Sequence, residues 1–460
     1  MSDTFENKVN INYEAGTLVL DRLQDNIAKL TESIWDERIN KYRLPAYKYY
    51  NLIKELHRNN VDYIDEARNY KELNLSSKIK LDAFPYQEEA LNEWVKGNKR
   101  GVVILPTGAG KSYLATLAIE KANRSTLVIV PTIDLMNQWY DILHSAFDLP
   151  IGLIGGGYYE LTDLTVTTYD SAYLYMERFG NKFGLMIFDE CHHLPSETYS
   201  LAAKLSISPF RLGLTATLER TDGKEEFIHD LVGPILYSKD IKELSGEYLS
   251  EYETVTLYVE MTEEQKSEYK HYRQIYTDFL RNKRINMSNP NGWNMFIILS
   301  SKDKEGREAF LAYKKQKELF LATDGKLNVL ESLLHQHRQD YMLIFTENNQ
   351  TVFDISVKYL IPTITHLTKT KERHEILSGF NKGEYRVIAT SKVLNEGINV
   401  PEANVAVIIS GNSSVREHVQ RLGRILRKRE NKSAILYEII TKESAEEYMR
   451  IRRRKHNAYQ

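Results

Sequence analysis

The sequence predicts an α/β protein: two tandem domains built on parallel sheets, with a small N-terminal α+β domain and a helical hairpin inserted between the sheets. Three observations carry this. From Gly101 onward, short β-rich apolar runs alternate with helical patterns; the same rhythm returns at Met342; and the stretch between them, Glu263–Lys317, is highly charged with helical period. In the first block, Val102–Leu105, Leu127–Val130, Leu164–Thr167, Leu185–Phe188 and Arg211–Leu214 read as buried strands, with helices over Lys111–Ala122 and Leu135–Phe147. Apolar strands without polar alternation suit a parallel sheet covered on both faces. Met342–Phe345, Thr363–His366, Val387–Thr390, Val405–Ile409 and Ile435–Ile439 make a second set. The charged stretch is interrupted near Asn289–Gly292 and reads as a two-helix hairpin with a Pro/Gly-containing turn. Ahead of all this, a strand-like Thr17–Leu20 and an amphipathic Ala46–Arg58 precede a polar stretch, Asn69–Lys80. The expected division is 1–75, 76–250, 251–322 and 323–460.

Composition narrows the function classes. A length of 460 residues, 42% of them apolar, is ample for several ordinary cores. The formal net charge of −2 excludes a uniformly cationic surface, so any nucleic acid must be held by a local basic groove. The lone cysteine, Cys191, cannot form an internal disulfide. No apolar run approaches the roughly 18 residues needed to cross a bilayer, and the N-terminus lacks a secretory pattern. The expectation is a soluble, cytoplasmic protein with no membrane partner. The basic run Arg450–Lys455 reads as a solvated helix end.

The chemistry starts at Leu105-Pro106-Thr107-Gly108-Ala109-Gly110-Lys111-Ser112, which follows a strand and opens a helix. Such a loop wraps phosphates with backbone N–H groups, and the helix N-terminus adds partial positive charge. Lys111 is expected to reach the β/γ-phosphates of ATP and the Ser112 hydroxyl to ligate Mg²⁺, although Leu105 stands where the general pattern has its first glycine. Next, Leu185–Phe188 delivers Asp189 and Glu190 to the carboxyl edge of the sheet, where open α/β sheets bind ligands. Asp189 is expected to hold Mg²⁺, and Glu190 to orient and deprotonate the attacking water. Cys191, His192 and His193 are not read as a metal site, because adjacent residues at a strand end point in different directions. Gln87 is a candidate reader of adenine, since an amide pairs with both its donor and acceptor edges. Thr215-Ala216-Thr217 ends another strand and is a candidate coupling element between nucleotide state and a DNA groove.

In the second block, Gln420-Arg421-Leu422-Gly423-Arg424-Ile425-Leu426-Arg427 sets Arg424 and Arg427 one helical turn apart on one face. Such a face can stabilise charge on a γ-phosphate, an effect on the order of 10³–10⁵ in rate for arginine fingers. Gln420 belongs to the same set, with Arg421 as a DNA-side contact. Thr390 ends a strand, and Glu396-Gly397 downstream is placed to contact ribose and DNA backbone.

With these elements in this order, residues 84–440 resemble superfamily 2 helicases of the DExH type, and the closest likeness is to the XPB family, in particular its short archaeal members. Four segments carry the narrower resemblance: Trp35-Asp36-Glu37-Arg38 with Tyr42–Tyr47, similar to the family's damage-recognition-like N-terminal domain; Asp189–Pro195, similar to its DExHH-L-P box; Leu218–Gly223, matching the segment of its Arg-Glu-Asp motif; and the charged hairpin, placed like its thumb-like insertion. The resemblance implies two RecA-like lobes that use Mg·ATP, a DNA-dependent ATPase and 3′-5′ DNA helicase, and translocation on, or opening of, duplex, forked or bubble DNA in nucleotide excision repair and transcription. It also implies a nuclease partner and DNA-side roles for Arg220 and Asp222. Thr221 stands where that motif has Glu, and Asn399 where a later motif has Asp. Two rivals share parts of the pattern: a restriction-type or phage recombination motor, and a non-catalytic clamp that holds ATP as a structural ligand. Residues 1–75 discriminate the first, DNA-stimulated phosphate release the second.

Overall fold

Strands with no polar alternation must be covered on both faces, and the chain does this twice. In the computed structural model the residues described are 8–218, 226–287, 289, 291–321, 324–391, 403–410 and 434–453. They group into two compact units that part between Lys239 and Asp240, except that Thr107–Ala109 are grouped with the second.

The first unit opens with a five-stranded sheet: β1 (Val9–Glu14), β2 (Thr17–Asp21), β3 (Ile34–Asp36), β4 (Lys41–Pro45) and β5 (Tyr63–Asp65), in the order β3-β4-β2-β1-β5. Its pairings are antiparallel except β1 with β5. Helix Tyr49–Arg58 buries Tyr49, Leu52 and Leu56, spaced three and four residues apart on one face. The seam to the following residues is part of the same body. Ile207 joins the apolar core of this small sheet. The Tyr13 hydroxyl donates to the carbonyls of Leu205 (2.8 Å) and Met176 (3.0 Å). Asn181 exchanges bonds with Asn69 and Ala67, and Lys71 and Ser125 pair backbone to backbone. Gly16, at φ +83°, lies so close to Leu205 that a Cβ would come within 2.4 Å of it.

Then follow β6 (Arg100–Ile104), β7 (Thr126–Val130), β8 (Ile151–Gly155), β9 (Tyr158–Tyr159), β10 (Leu164–Thr168), β11 (Leu185–Asp189), β12 (Phe210–Thr215) and β13 (Ile235–Ser238). They form one sheet in the order β13-β6-β12-β11-β7-β10-β8-β9, parallel apart from the short β8–β9 pair. The predicted strands are all present. β8, β9 and β13 are additional; the glycines of β8 look like a turn in sequence, but Gly152 is needed because a Cβ there would lie 2.4 Å from the Glu160 carbonyl just after β9.

The second unit holds a wholly parallel six-stranded sheet, ordered β14-β19-β18-β15-β17-β16. Its strands are β14 (Tyr252–Val259), β15 (Met342–Phe345), β16 (Thr363–Ile364), β17 (Val387–Thr390), β18 (Val405–Ile408) and β19 (Ala434–Thr441). β14 lies upstream of the helical insertion, so this sheet draws on chain from both sides of it. The insertion has three helices, Glu263–Asn282, Gly292–Ser300 and Lys304–Leu321, the middle one nearly devoid of charge. No helix among the described residues is long and apolar enough to cross a membrane.

Candidate nucleotide site of the first lobe

β6 runs into Leu105, and helix Lys111–Ala122 begins six residues later. The loop between them turns on Gly108 (φ +89°) and Gly110 (φ +71°), left-handed conformations that cost an L side chain about 1–2 kcal/mol. A Cβ on Gly110 would also sit 2.5 Å from the Gln87 side-chain nitrogen. The Lys111 ammonium donates to the carbonyls of Leu105 (3.1 Å) and Pro106 (3.4 Å), which places it over the loop. Ser112 lies in the first helical turn, and its carbonyl accepts the Thr116 hydroxyl. Gln87 is buried; its side-chain oxygen accepts the Phe84 amide (3.0 Å) and caps helix Pro85–Lys96, while its nitrogen lies 3.5 Å from the Gly110 carbonyl. The amide therefore ties the helix start to the glycine loop.

β11 pairs with β12, and β12 with β6, all parallel, so Asp189 emerges at the same edge as the loop. One Asp189 oxygen accepts the Trp139 indole N–H (2.8 Å) and the other the Glu190 amide (3.0 Å). Burial pushes the Asp189 carboxyl pKa up; the nearby Lys111 charge, the indole and the amide act against that. Glu190 has φ +48°, in the left-handed region, a strain on the order of 1–3 kcal/mol for a non-glycine residue. Strained backbone of this kind clusters at functional sites.

Beyond Glu190 the chain turns back, and His192 is fully buried. Its Nδ1 lies 3.5 Å from a Glu190 carboxylate oxygen and 3.0 Å from the Thr215 hydroxyl. That hydroxyl donates to the Thr217 carbonyl (2.7 Å). Thr215, Ala216 and Thr217 are all buried. A continuous polar chain thus links Glu190 to the end of β12. Burial, then Glu190 and Asp189, push the Cys191 thiol well up, which leaves it protonated and unreactive.

Trp139 and His192 had no role assigned from sequence. Nothing in the local pattern marks a tryptophan in helix Ile133–Ala146 as the donor to a carboxylate fifty residues away. His192 is legible only once β11 and β12 are known to be neighbours. In the second unit, Thr390 ends β17, where its hydroxyl donates to the Ser391 carbonyl (2.8 Å). Gln420, Arg421, Arg424, Arg427, Glu396, Gly397, Asn399, Arg220, Thr221 and Asp222 lie outside the described residues.

The donor set fits Mg·ATP chemically: a glycine loop at a helix N-terminus, a lysine, a hydroxyl and a buried carboxylate share one sheet edge. Two parallel sheets in one chain, the first carrying this constellation, define the two-lobed α/β class that includes helicase motors. Comparison with known proteins narrows the class. Residues 11–67 match the sequence-family model of the xeroderma pigmentosum group B helicase damage recognition domain, residues 80–220 that of the type III restriction enzyme res subunit, and residues 307–460 that of the ERCC3/RAD25/XPB C-terminal helicase. The chain is 42% identical to the DNA 3'-5' translocase XPB2 of Sulfurisphaera tokodaii over 91% of its own length and 95% of that protein. It is 30% identical to the DNA 3'-5' helicase XPB of Mycobacterium tuberculosis, covering 80% of this chain and 62% of that one. A general transcription and DNA repair factor IIH helicase/translocase subunit, XPB2 of Arabidopsis thaliana, is 26% identical over 91% of this chain and 54% of its own. The chain therefore spans nearly all of the first relative and less than two thirds of the other two. It belongs to the XPB family of superfamily 2 helicases.

Proposed function

We propose that the chain is an ATP-driven 3'-5' DNA translocase and helicase of the XPB type, acting on duplex, forked or bubble DNA in nucleotide excision repair. The observation that carries the reading is the shared edge of β6 and β11, where the buried Asp189 carboxylate lies within the field of the Lys111 ammonium. When bound, Mg·ATP supplies the phosphoanhydride whose cleavage drives motion. Gln87 would read adenine, and Thr107, Gly108, Ala109 and Gly110 would wrap the phosphates. Lys111 would neutralise the β/γ-phosphates. Ser112 and Asp189 would hold Mg²⁺. Glu190 would orient the attacking water and take its proton. His192 and Thr215 would pass the state of Glu190 to the β12 end, toward the DNA side. Gln420, Arg424 and Arg427 would complete the site, with Glu396, Gly397, Thr390, Arg421, Arg220 and Asp222 on its ribose and DNA flank.

The family model on residues 80–220 carries a restriction-enzyme description, which keeps a restriction-type motor as the second reading. The match of residues 11–67 to the damage recognition domain favours repair. A nuclease partner and a cytoplasmic location belong to the same proposal. The test is phosphate release by the wild type with single-stranded, duplex and forked DNA, with strand separation followed in parallel. DNA should stimulate release, and Lys111→Ala and Glu190→Gln should abolish it. Wild-type release indifferent to DNA would refute the motor and leave a nucleotide-bound clamp.

A further inference from the structure

The second unit contains a groove that the reactions above do not use. The groove measures about 730 Å³, ample for a nucleobase with its sugar. One wall comes from the helical insertion: Trp293, Phe310 and Tyr313, with Trp293 and Tyr313 ring centroids 5.1 Å apart. The other wall is the loop after β15 and the first turn of helix Asn349–Tyr359. Trp293 is 40% exposed, so one aromatic surface is presented to solvent.

The floor is polar and incompletely satisfied. One Glu347 oxygen holds the Lys317 ammonium, while the other is buried with no hydrogen-bond partner among the described residues. The Thr351 hydroxyl is likewise buried with no partner among the described residues, on a residue only 3% exposed. Leaving such groups unmet is costly, and a ligand offering N–H donors would recover that cost. The Lys314 ammonium lies over the Phe310 ring (5.0 Å) at the rim, available to a phosphate. Aromatic wall, carboxylate acceptor and rim cation together suit one chemistry: an unstacked nucleobase still attached to its strand.

We propose that this groove takes a single flipped-out base of a DNA strand. Trp293 stacks on its face, and Glu347 with Thr351 receives its exocyclic amino group, so cytosine is favoured over thymine. The proposal rests on the chain being a DNA-acting protein, but not on ATP hydrolysis. It is tested without nucleotide, by anisotropy of labelled oligo(dC) and oligo(dT) on the full chain. The wild type should prefer oligo(dC) several-fold. Trp293→Ala should weaken both oligomers by roughly 5- to 100-fold, the usual range for losing one base–aromatic stack, and Trp293→Phe should restore most of it. Glu347→Gln should abolish the oligo(dC) preference while leaving oligo(dT) binding unchanged. Binding of both oligomers by Trp293→Ala within twofold of the wild type overturns the site. Equal wild-type affinity for the two oligomers overturns the role of Glu347. DNA-stimulated phosphate release by the wild type is measured separately, so failure of the motor reading is distinguishable from failure of this one.

Discussion

Replacing Tyr13 by phenylalanine isolates the seam between the N-terminal sheet and the first lobe. The hydroxyl donates to Leu205 and Met176 carbonyls at 2.8 and 3.0 Å. The Met176 carbonyl also accepts the Gly180 amide at 2.7 Å, so the main loss falls on Leu205. One partly buried carbonyl left short and one neutral hydrogen bond removed amount to about 1–2 kcal/mol at neutral pH. The pH dependence separates this from a packing defect. Burial raises the Tyr13 pKa well above its usual value of 10.0. The unfolded chain therefore ionises this phenol at a lower pH than the folded one does. Its contribution is fully present below pH 10 and is lost as pH rises above it, by about 1.4 kcal/mol per pH unit. Tyr13→Phe lacks that slope, while every other tyrosine titrates alike in both proteins. Urea unfolding followed by circular dichroism should show wild type ahead by about 1–2 kcal/mol at pH 8, with the gap closing near pH 11. A gap of equal size at both pH values would refute the hydrogen-bonded seam.

Three further outcomes follow from the sites. Gly110→Ala should weaken nucleotide binding roughly tenfold, from about 1–2 kcal/mol of left-handed strain plus the push on Gln87; titration with a fluorescent ATP analogue checks it. His192→Ala should retain basal phosphate release yet lose most of its stimulation by DNA, because it cuts the Glu190–Thr215 link; steady-state assays with and without DNA decide this. Lys326→Met should destabilise the second unit by about 3–5 kcal/mol, since it strands the buried Glu446 carboxylate that Lys326 holds at 2.7 Å. Lys326→Met with Glu446→Gln should recover much of that loss in thermal unfolding.

Much of the architecture was legible because buried parallel strands announce themselves. Leu127–Val130 and Leu185–Phe188 have no alternation to misread, and the glycines before Lys111 mark a turn that little else needs. β14 was not legible for the opposite reason. Tyr252–Val259 is an edge strand, half-exposed and mixed with Glu253 and threonines, so it carries no continuous apolar signal. The three-helix insertion was read as two because Gly292–Ser300 follows a Pro/Gly-containing break and lacks the charge of its neighbours. At the candidate site, the residue types that chemistry demands stood out, namely Lys111, Ser112, Asp189 and Glu190. Their supports, Trp139 and His192, did not, because support depends on which strands are adjacent and the sequence order of β11 and β12 does not show that.

The seam at Tyr13, Asn181 and Ser125 has a mechanical consequence. Hydrogen bonds from two stretches of the N-terminal segment, Tyr13 and Ala67–Lys71, reach the first lobe, with Leu205 seated against Gly16, so the described residues leave no free joint between them. Whatever step the first lobe takes, the small sheet takes with it as cargo on a rigid bracket. An obstruction met by that sheet is therefore felt as load on the lobe that carries Lys111 and Glu190.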